Sequence, residues 1–208
     1  RILVQGRPVS ISHPLEAMRE GIGMVPEDRK EAGLFLEMSV AANIAATNLR
    51  ALSDGPLISD RRVTALAEES VRQLRVATPD VRRPVMNLSG GNQQKVLLGR
   101  WMAAGAELII FDEPTKGIDV GTKSEIYTLM RRLTDEGVGV IVVSSELPEI
   151  LGISDRIYVM AEGAFVGELP VAQWFNPSAP RIKSGEVVPA RLAAAQIGAG
   201  KWLSQSKR

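Results

Sequence analysis

The apolar positions of this chain change their spacing twice. At the start, "ILVQ" and "VSI" alternate on either side of Gly6, Arg7 and Pro8 and predict a hairpin. A short helix is expected over "HPLEAMREG", with Pro14 in its first turn and Gly21 past its end. "IGMV" then stops at Pro26 and gives way to the charged loop "PEDRKEAGLF". From Met38 to Leu52, and again from Ser59 to about Thr78, the spacing becomes helical; Val63, Leu66, Ala67, Val71 and Leu74 approximate one face. "SDGP" between them is a loop signal, so the two helices read as an insert spanning about 38–84.

Beyond Pro84 strands and helices take turns. A helix is expected from about Gly91 to Ala104, followed by "AELIIFD", a continuous apolar run suited to a strand covered on both faces. Ile126, Leu129, Met130 and Leu133 share one face of a helix from Thr122 to Glu136, and "VGVIVVS" is a second buried strand. "DRIYVMAEGAFVGEL" predicts a hairpin around Glu162 and Gly163. Strand, helix, strand in this order argues for an α/β fold with a parallel sheet at its centre. Residues 171–208 mix Pro, Gly, Ser and basic residues without a sustained period, and read as a loosely structured tail after a domain covering 1–170. The run "GAGK" within it does not satisfy the phosphate-loop pattern, because Ala195 stands where the first Gly belongs and Trp202 follows Lys201.

Composition narrows the chemistry. With 208 residues, 45% of them apolar, the chain can bury a sizeable core. Its 25 basic and 24 acidic residues nearly cancel, which gives no global reason to expect a nucleic-acid partner. It has no cysteine, which excludes disulfides and thiolate metal sites, and a single histidine, His13, placed to begin a helix. No apolar run approaches the roughly 18 residues of a membrane helix.

Two short stretches carry candidate chemistry. The run "ELIIFDEPTKGIDVG" delivers Asp112 and then Glu113 at the C-terminal end of a buried strand, where α/β sheets place their ligands. An aspartate there can hold a hydrated Mg2+, and a glutamate beside it can accept a proton from an attacking water. In "NLSGGNQQKV", Ser89 can cap a helix while Gly90 and Gly91 let backbone N–H groups approach an anion.

Ser89, Asp112 23 positions later, and the glycine-bounded "GIDVG" fall in one order. That order resembles the ABC-type ATPases: signature motif, Walker B and D-loop. "LSGGNQQK", "VPEDRK", "DEPTKGIDVG" and "VSSELPEILGISDRI" look specifically like the C-terminal ATPase half of the proteins that energise bacterial monosaccharide importers of the ribose, xylose and galactose type. The resemblance covers roughly residues 1 to 169. It implies a P-loop NTPase-like sheet with a helical insert, and composite ATP sites formed by head-to-tail pairs of domains. Ser89, Gly90, Gly91 and the amides of Asn92 and Gln93 would then touch the γ-phosphate of ATP held by a second ATPase half. Asp112 would serve Mg2+, Glu113 the hydrolytic water, and Asp119 of the D-loop communication across the pair. The implied partners are sugar permease subunits and, indirectly, a periplasmic sugar-binding protein. The implied location is cytoplasmic, peripheral on the inner face of the membrane.

Departures from that pattern set further expectations. Asn92 stands where the common signature has Gln, Glu27 occupies the Q-loop position, and Ser145 replaces the switch histidine. The Walker A loop would precede Arg1, so the isolated chain is expected to bind ATP weakly. A DNA-repair type of ABC ATPase predicts a coiled-coil or zinc insert and a basic face; a catalytically inactive interaction module is the other alternative.

Overall fold

The computed structural model describes residues 1–170 and 192–197. The chain opens on an antiparallel hairpin, β1 (Ile2–Val4) and β2 (Arg7–Val9). Its turn is Gln5–Gly6, both with positive φ, one residue earlier than the sequence suggests; two left-handed residues match the twist of a tight hairpin. Helix α1 (Pro14–Arg19) begins at His13, whose Nδ1 accepts the Leu15 N–H at 3.3 Å, while Glu16 reaches back to the His13 N–H at 3.1 Å. The one histidine is therefore half of a capping box.

Strand β3 (Ile22–Val25) is the short apolar run before Pro26. A single π-helical turn over 29–33 follows, and then the insert: α2 (Val40–Ala45), a two-residue hairpin of β4 (Ser53–Asp54) and β5 (Leu57–Ile58), and α3 (Asp60–Leu74). Helix α2 is shorter than its periodicity suggests. Thr47 and Asn48, which would continue it, turn their side chains to the carbonyls of Arg100 (3.1 Å) and Ala103 (2.5 Å). Those acceptors close another helix, α4 (Gly90–Ala103), so a tertiary contact outweighs local propensity.

The remaining elements are β6 (Leu108–Asp112), α5 (Val120–Asp135), β7 (Gly139–Val143), α6 (Leu147–Ile153), β8 (Arg156–Ala161), β9 (Ala164–Pro170) and β10 (Leu192–Ile197). The main sheet has the order β3-β6-β7-β10-β8-β9, parallel except for β9. Ile109, Phe111, Val140 and Val142 are buried in its middle, and the expected face of α5, Ile126, Leu129, Met130 and Leu133, is buried with them.

Strand β10 corrects the expectation of a loose tail for those six residues. "LAAAQI" has no legible period, yet its backbone pairs with β7 on one side and β8 on the other. The ladder and the place in the sheet, not the residues, define it. The rest of 171–208, "GAGK" included, lies outside the described residues.

Arg100, near the end of α4, ties the insert to this core. It is buried and donates to Asn43 O (2.7 Å), Asn43 Oδ1 (3.0 Å) and Gly33 O (2.6 Å). Burial pushes its pKa down to about 10, yet three acceptors are in place, as a buried guanidinium requires.

Candidate functional site

The parallel register brings the ends of β3, β6 and β7 to one edge, with Val25 opposite Phe111 and Asp112 opposite Val143. Asp112 closes β6. Glu113 follows with φ 44°, an unusual left-handed conformation for a residue with a side chain. Two bonds hold it there: its N–H donates to Val143 O at 2.8 Å, and its Oε1 accepts the Ser145 N–H at 2.8 Å. Ser145 thus meets this edge through its backbone N–H. Left-handed backbone at a site of this kind is strain that the surrounding bonds must hold.

The edge brings together the carboxylates of Glu27, Asp112 and Glu113 and the ammonium of Lys116. Asp112 is raised above the ordinary aspartate range by partial burial, and further by the negative charges of Glu27 and Glu113, with Lys116 pulling the other way. Lys116 Nζ pairs with Glu27 Oε1, and that bond holds its own pKa above the usual lysine range. The carboxylate found where a neutral glutamine is usual therefore meets a cation from the loop after β6. The departure is compensated within the same site.

Behind the edge lies a network that the sequence did not reveal. Glu149 on α6 is buried; its Oε1 accepts from Thr115 Oγ1 at 2.9 Å and its Oε2 from the Ser144 hydroxyl. Ser144 Oγ in turn accepts the Glu146 N–H at 3.1 Å. One carboxylate so joins the loop after β6 to the loop after β7, and fixes the Ser145 N–H that holds Glu113. The signal available was an acid on the apolar side of "SELPEIL", five residues after a serine.

The second group lies at the start of α4. Ser89 is its N-cap, exposed and with extended backbone, and makes no side-chain cap bond. Its Oγ instead accepts from Asn92 Nδ2 at 2.9 Å, while Asn92 Oδ1 accepts the Ala77 N–H at 2.7 Å. Asn92 braces the turn with both ends of its amide. The Gln93 N–H donates to Ser89 O at 2.9 Å and the Gln93 side chain is buried, its Nε2 3.3 Å from Val85 O. The backbone donors without an intrahelical acceptor are therefore those of Gly90, Gly91 and Asn92, one residue nearer the cap than expected. Arg29 from the charged loop lies against Gly90, and Thr122 against Gly91.

Asp119 is the N-cap of α5: its Oδ1 accepts the Thr122 N–H at 3.0 Å and its Oδ2 the Thr122 hydroxyl at 2.7 Å. These bonds, the hydroxyl's first, hold its carboxyl below the usual range.

An acid edge on a parallel sheet, together with a helix that is led by two glycines and has Ser89 at its N-cap, marks a P-loop NTPase-like fold. The chain belongs to the ABC transporter family, whose sequence profile matches residues 1–116. It is 49% identical over 173 residues to the ribose import ATP-binding protein RbsA 1 of Rubrobacter xylanophilus, covering 83% of this chain and 35% of that protein. Over 172 residues it is 48% identical to the xylose import ATP-binding protein XylG of Thermoanaerobacter pseudethanolicus, covering 83% and 34%. The chain thus spans about a third of the length of these relatives. Its fold is similar to an ATP-binding cassette in a dimeric post-hydrolysis state bound to ADP and Pi (TM-score 0.61, 22% identity, 77% of this chain and 68% of that one). It is also similar to an inward-facing metal-chelate type ABC transporter (TM-score 0.62, 20% identity, 73% and 59%).

Among the described residues, no group of three or more acids or histidines could hold a metal ion by itself. Asp112 still fits Mg2+ that arrives on a triphosphate, since such an ion keeps several waters and needs only one or two carboxylates. Its reluctance to ionise in the present surroundings is what a nearby cation would reverse.

Proposed function

We propose that this chain forms part of the ATPase of a bacterial monosaccharide importer, and that its two groups of residues belong to two composite ATP sites, each completed by a second ATPase half. The observation that carries the reading is Glu113: it leaves β6 beside Asp112 in a left-handed conformation, with Oε1 held by the Ser145 N–H. That leaves Oε2 to accept the proton of a water aligned on the γ-phosphate. Asp112 supplies the carboxylate for Mg2+, and bound Mg2+ would neutralise charge developing on the phosphate oxygens. At the other site the Ser89 hydroxyl and the N–H groups of Gly90, Gly91 and Asn92 receive the γ-phosphate of ATP seated on the partner half. Asp119 lies where the two halves would communicate.

The remaining surface suits a permease. A groove of about 450 Å³ on the insert is lined by Phe35, Met38, Ala42, Leu49, Ile58 and Val63. Phe35, Met38 and Ile58 are each at least half exposed. We assign this groove and the Glu27 loop to a short helix of the membrane subunits, which places the protein on the inner face of the membrane. Among the described residues no helix is long and apolar enough to cross it. The sugar is chosen by the permease and its periplasmic binding protein.

In the assembled importer, Glu113→Gln is expected to lower ATP turnover by roughly 10²–10⁴-fold while nucleotide still binds. Ser89→Ala should slow turnover at the opposite half's site more than binding there. Unchanged turnover in both variants would refute the assignment. The 208-residue chain alone should bind Mg-ATP weakly, and micromolar affinity by calorimetry would contradict that expectation.

A further inference from the structure

The two glycines at the start of α4 are enclosed by different kinds of neighbour. A Cβ on Gly90 would stand 2.7 Å from a terminal nitrogen of Arg29, the mobile end of a long side chain. A Cβ on Gly91 would stand 2.1 Å from Thr122 Cγ2 and 3.3 Å from Thr122 Cβ. That neighbour cannot swing away as an arginine can. Thr122 is β-branched, sits in the first turn of α5, and has its hydroxyl and its N–H both on Asp119. Gly91 is buried, whereas Gly90 is only partly so.

We infer that Thr122 is a positioning residue that seats the first turn of α4 on the first turn of α5, and that Gly91 is glycine in order to admit the Thr122 methyl group. The two signature glycines then do separate work. Gly90 keeps the outer side of the turn open and Gly91 sets its depth. Thr122 has one arm in each feature: its methyl fixes the signature turn and its hydroxyl fixes the D-loop aspartate, so the two helix starts keep one mutual geometry. This deepens the reading proposed above, and rests on it only where turnover is measured.

Five variants of the full chain test the packing without any activity assay. Gly91→Ala should lower Tm by about 5 °C, the scale of overpacking in a domain of this size. Gly91→Ala combined with Thr122→Ser removes the obstructing methyl and keeps the hydroxyl, and should return Tm to that of Thr122→Ser alone. Gly91→Ala combined with Thr122→Val keeps a methyl in the way and should not recover. Gly90→Ala should leave Tm unchanged, because Arg29 can move. A Gly91→Ala chain as stable as the parent, or equal recovery with serine and valine, would overturn the inference. In the assembled importer, Gly91→Ala should lose about a hundredfold in turnover, since a displacement near 1 Å has effects of that size. Turnover indifferent to Ser89→Ala, Gly90→Ala and Gly91→Ala alike would instead sink the ATP reading and leave the packing result intact.

Discussion

The segment from Asp112 to Asp119 begins and ends on an aspartate, and the fold treats the two in opposite ways. Asp112 is raised by partial burial and by two neighbouring carboxylates, and meets one lysine as relief. Asp119 is lowered because the hydroxyl and the N–H of Thr122 both donate to it. The first is an anion short of positive charge; the second is complete within its own helix turn. A group left under-compensated at a sheet edge is poised for a cation brought by a ligand. A fully bonded cap holds a shape. Under the proposed reading the eight residues of this stretch join a chemical end to a mechanical one, and the opposite shifts accord with those roles.

Reversing the charge of Lys116 at the chemical end should have the largest effect. Lys116→Glu would set four acids together, and is expected to lower Tm by about 4 °C at neutral pH, with the loss fading as the pH drops and the carboxylates protonate. Glu27→Lys in the same chain restores one opposite pair and should recover most of the loss. Equal Tm for the parent and Lys116→Glu across that range would show that the lysine does not compensate the edge.

A smaller change of opposite sign is expected from Asp112→Asn. A carboxyl whose folded pKa lies above its unfolded one penalises the native state once the pH exceeds both values. The penalty disappears below the unfolded value, where both states are protonated. Removing the charge should therefore stabilise the chain at pH 7 by about 2 °C, kept small because the group is only partly buried, and the gain should shrink as the pH falls through the folded pKa. Thermal scans between pH 4 and 8 would check it; a loss of stability at pH 7 would mean that Asp112 already has its compensation.

Both ends of this stretch were visible in the sequence, and their relation was not. Asp112 and Glu113 follow four apolar residues, Leu108 to Phe111, that read as a strand, and Asp119 precedes a helix whose apolar face recurs at Ile126, Leu129, Met130 and Leu133. Strong period and strong residue type coincide there. Elsewhere the deciding partner is distant. Thr47 and Asn48 stop α2 through carbonyls more than 50 residues away, and Glu27 meets Lys116 across 89 positions. Glu149 is tied to Thr115 across 34. Strand β10 shows the limit: three alanines carry no period, and a strand placed by its ladder alone leaves no trace in one sequence.

The finest discrimination between the two aspartates comes from titrating them in one sample. Thr122→Val removes the hydroxyl that contributes most to lowering Asp119 but leaves the backbone N–H, so the Asp119 pKa should move part of the way up toward the ordinary aspartate value. Thr122→Ser keeps the hydroxyl and should leave it in place. Because the folded pKa lies below the unfolded one, the cap adds stability above the unfolded value and loses it as the pH falls through the folded one. Thr122→Val should therefore be less stable than the parent at pH 7, and the two should converge in acid. Asp112 has no bond to Thr122 and should titrate alike in all three chains. Carboxyl carbon shifts followed by NMR would resolve both groups. An Asp112 that moved with the Thr122 substitution would show that the stretch transmits a change at its cap back to the acid edge, and the division into a chemical and a mechanical end would fail.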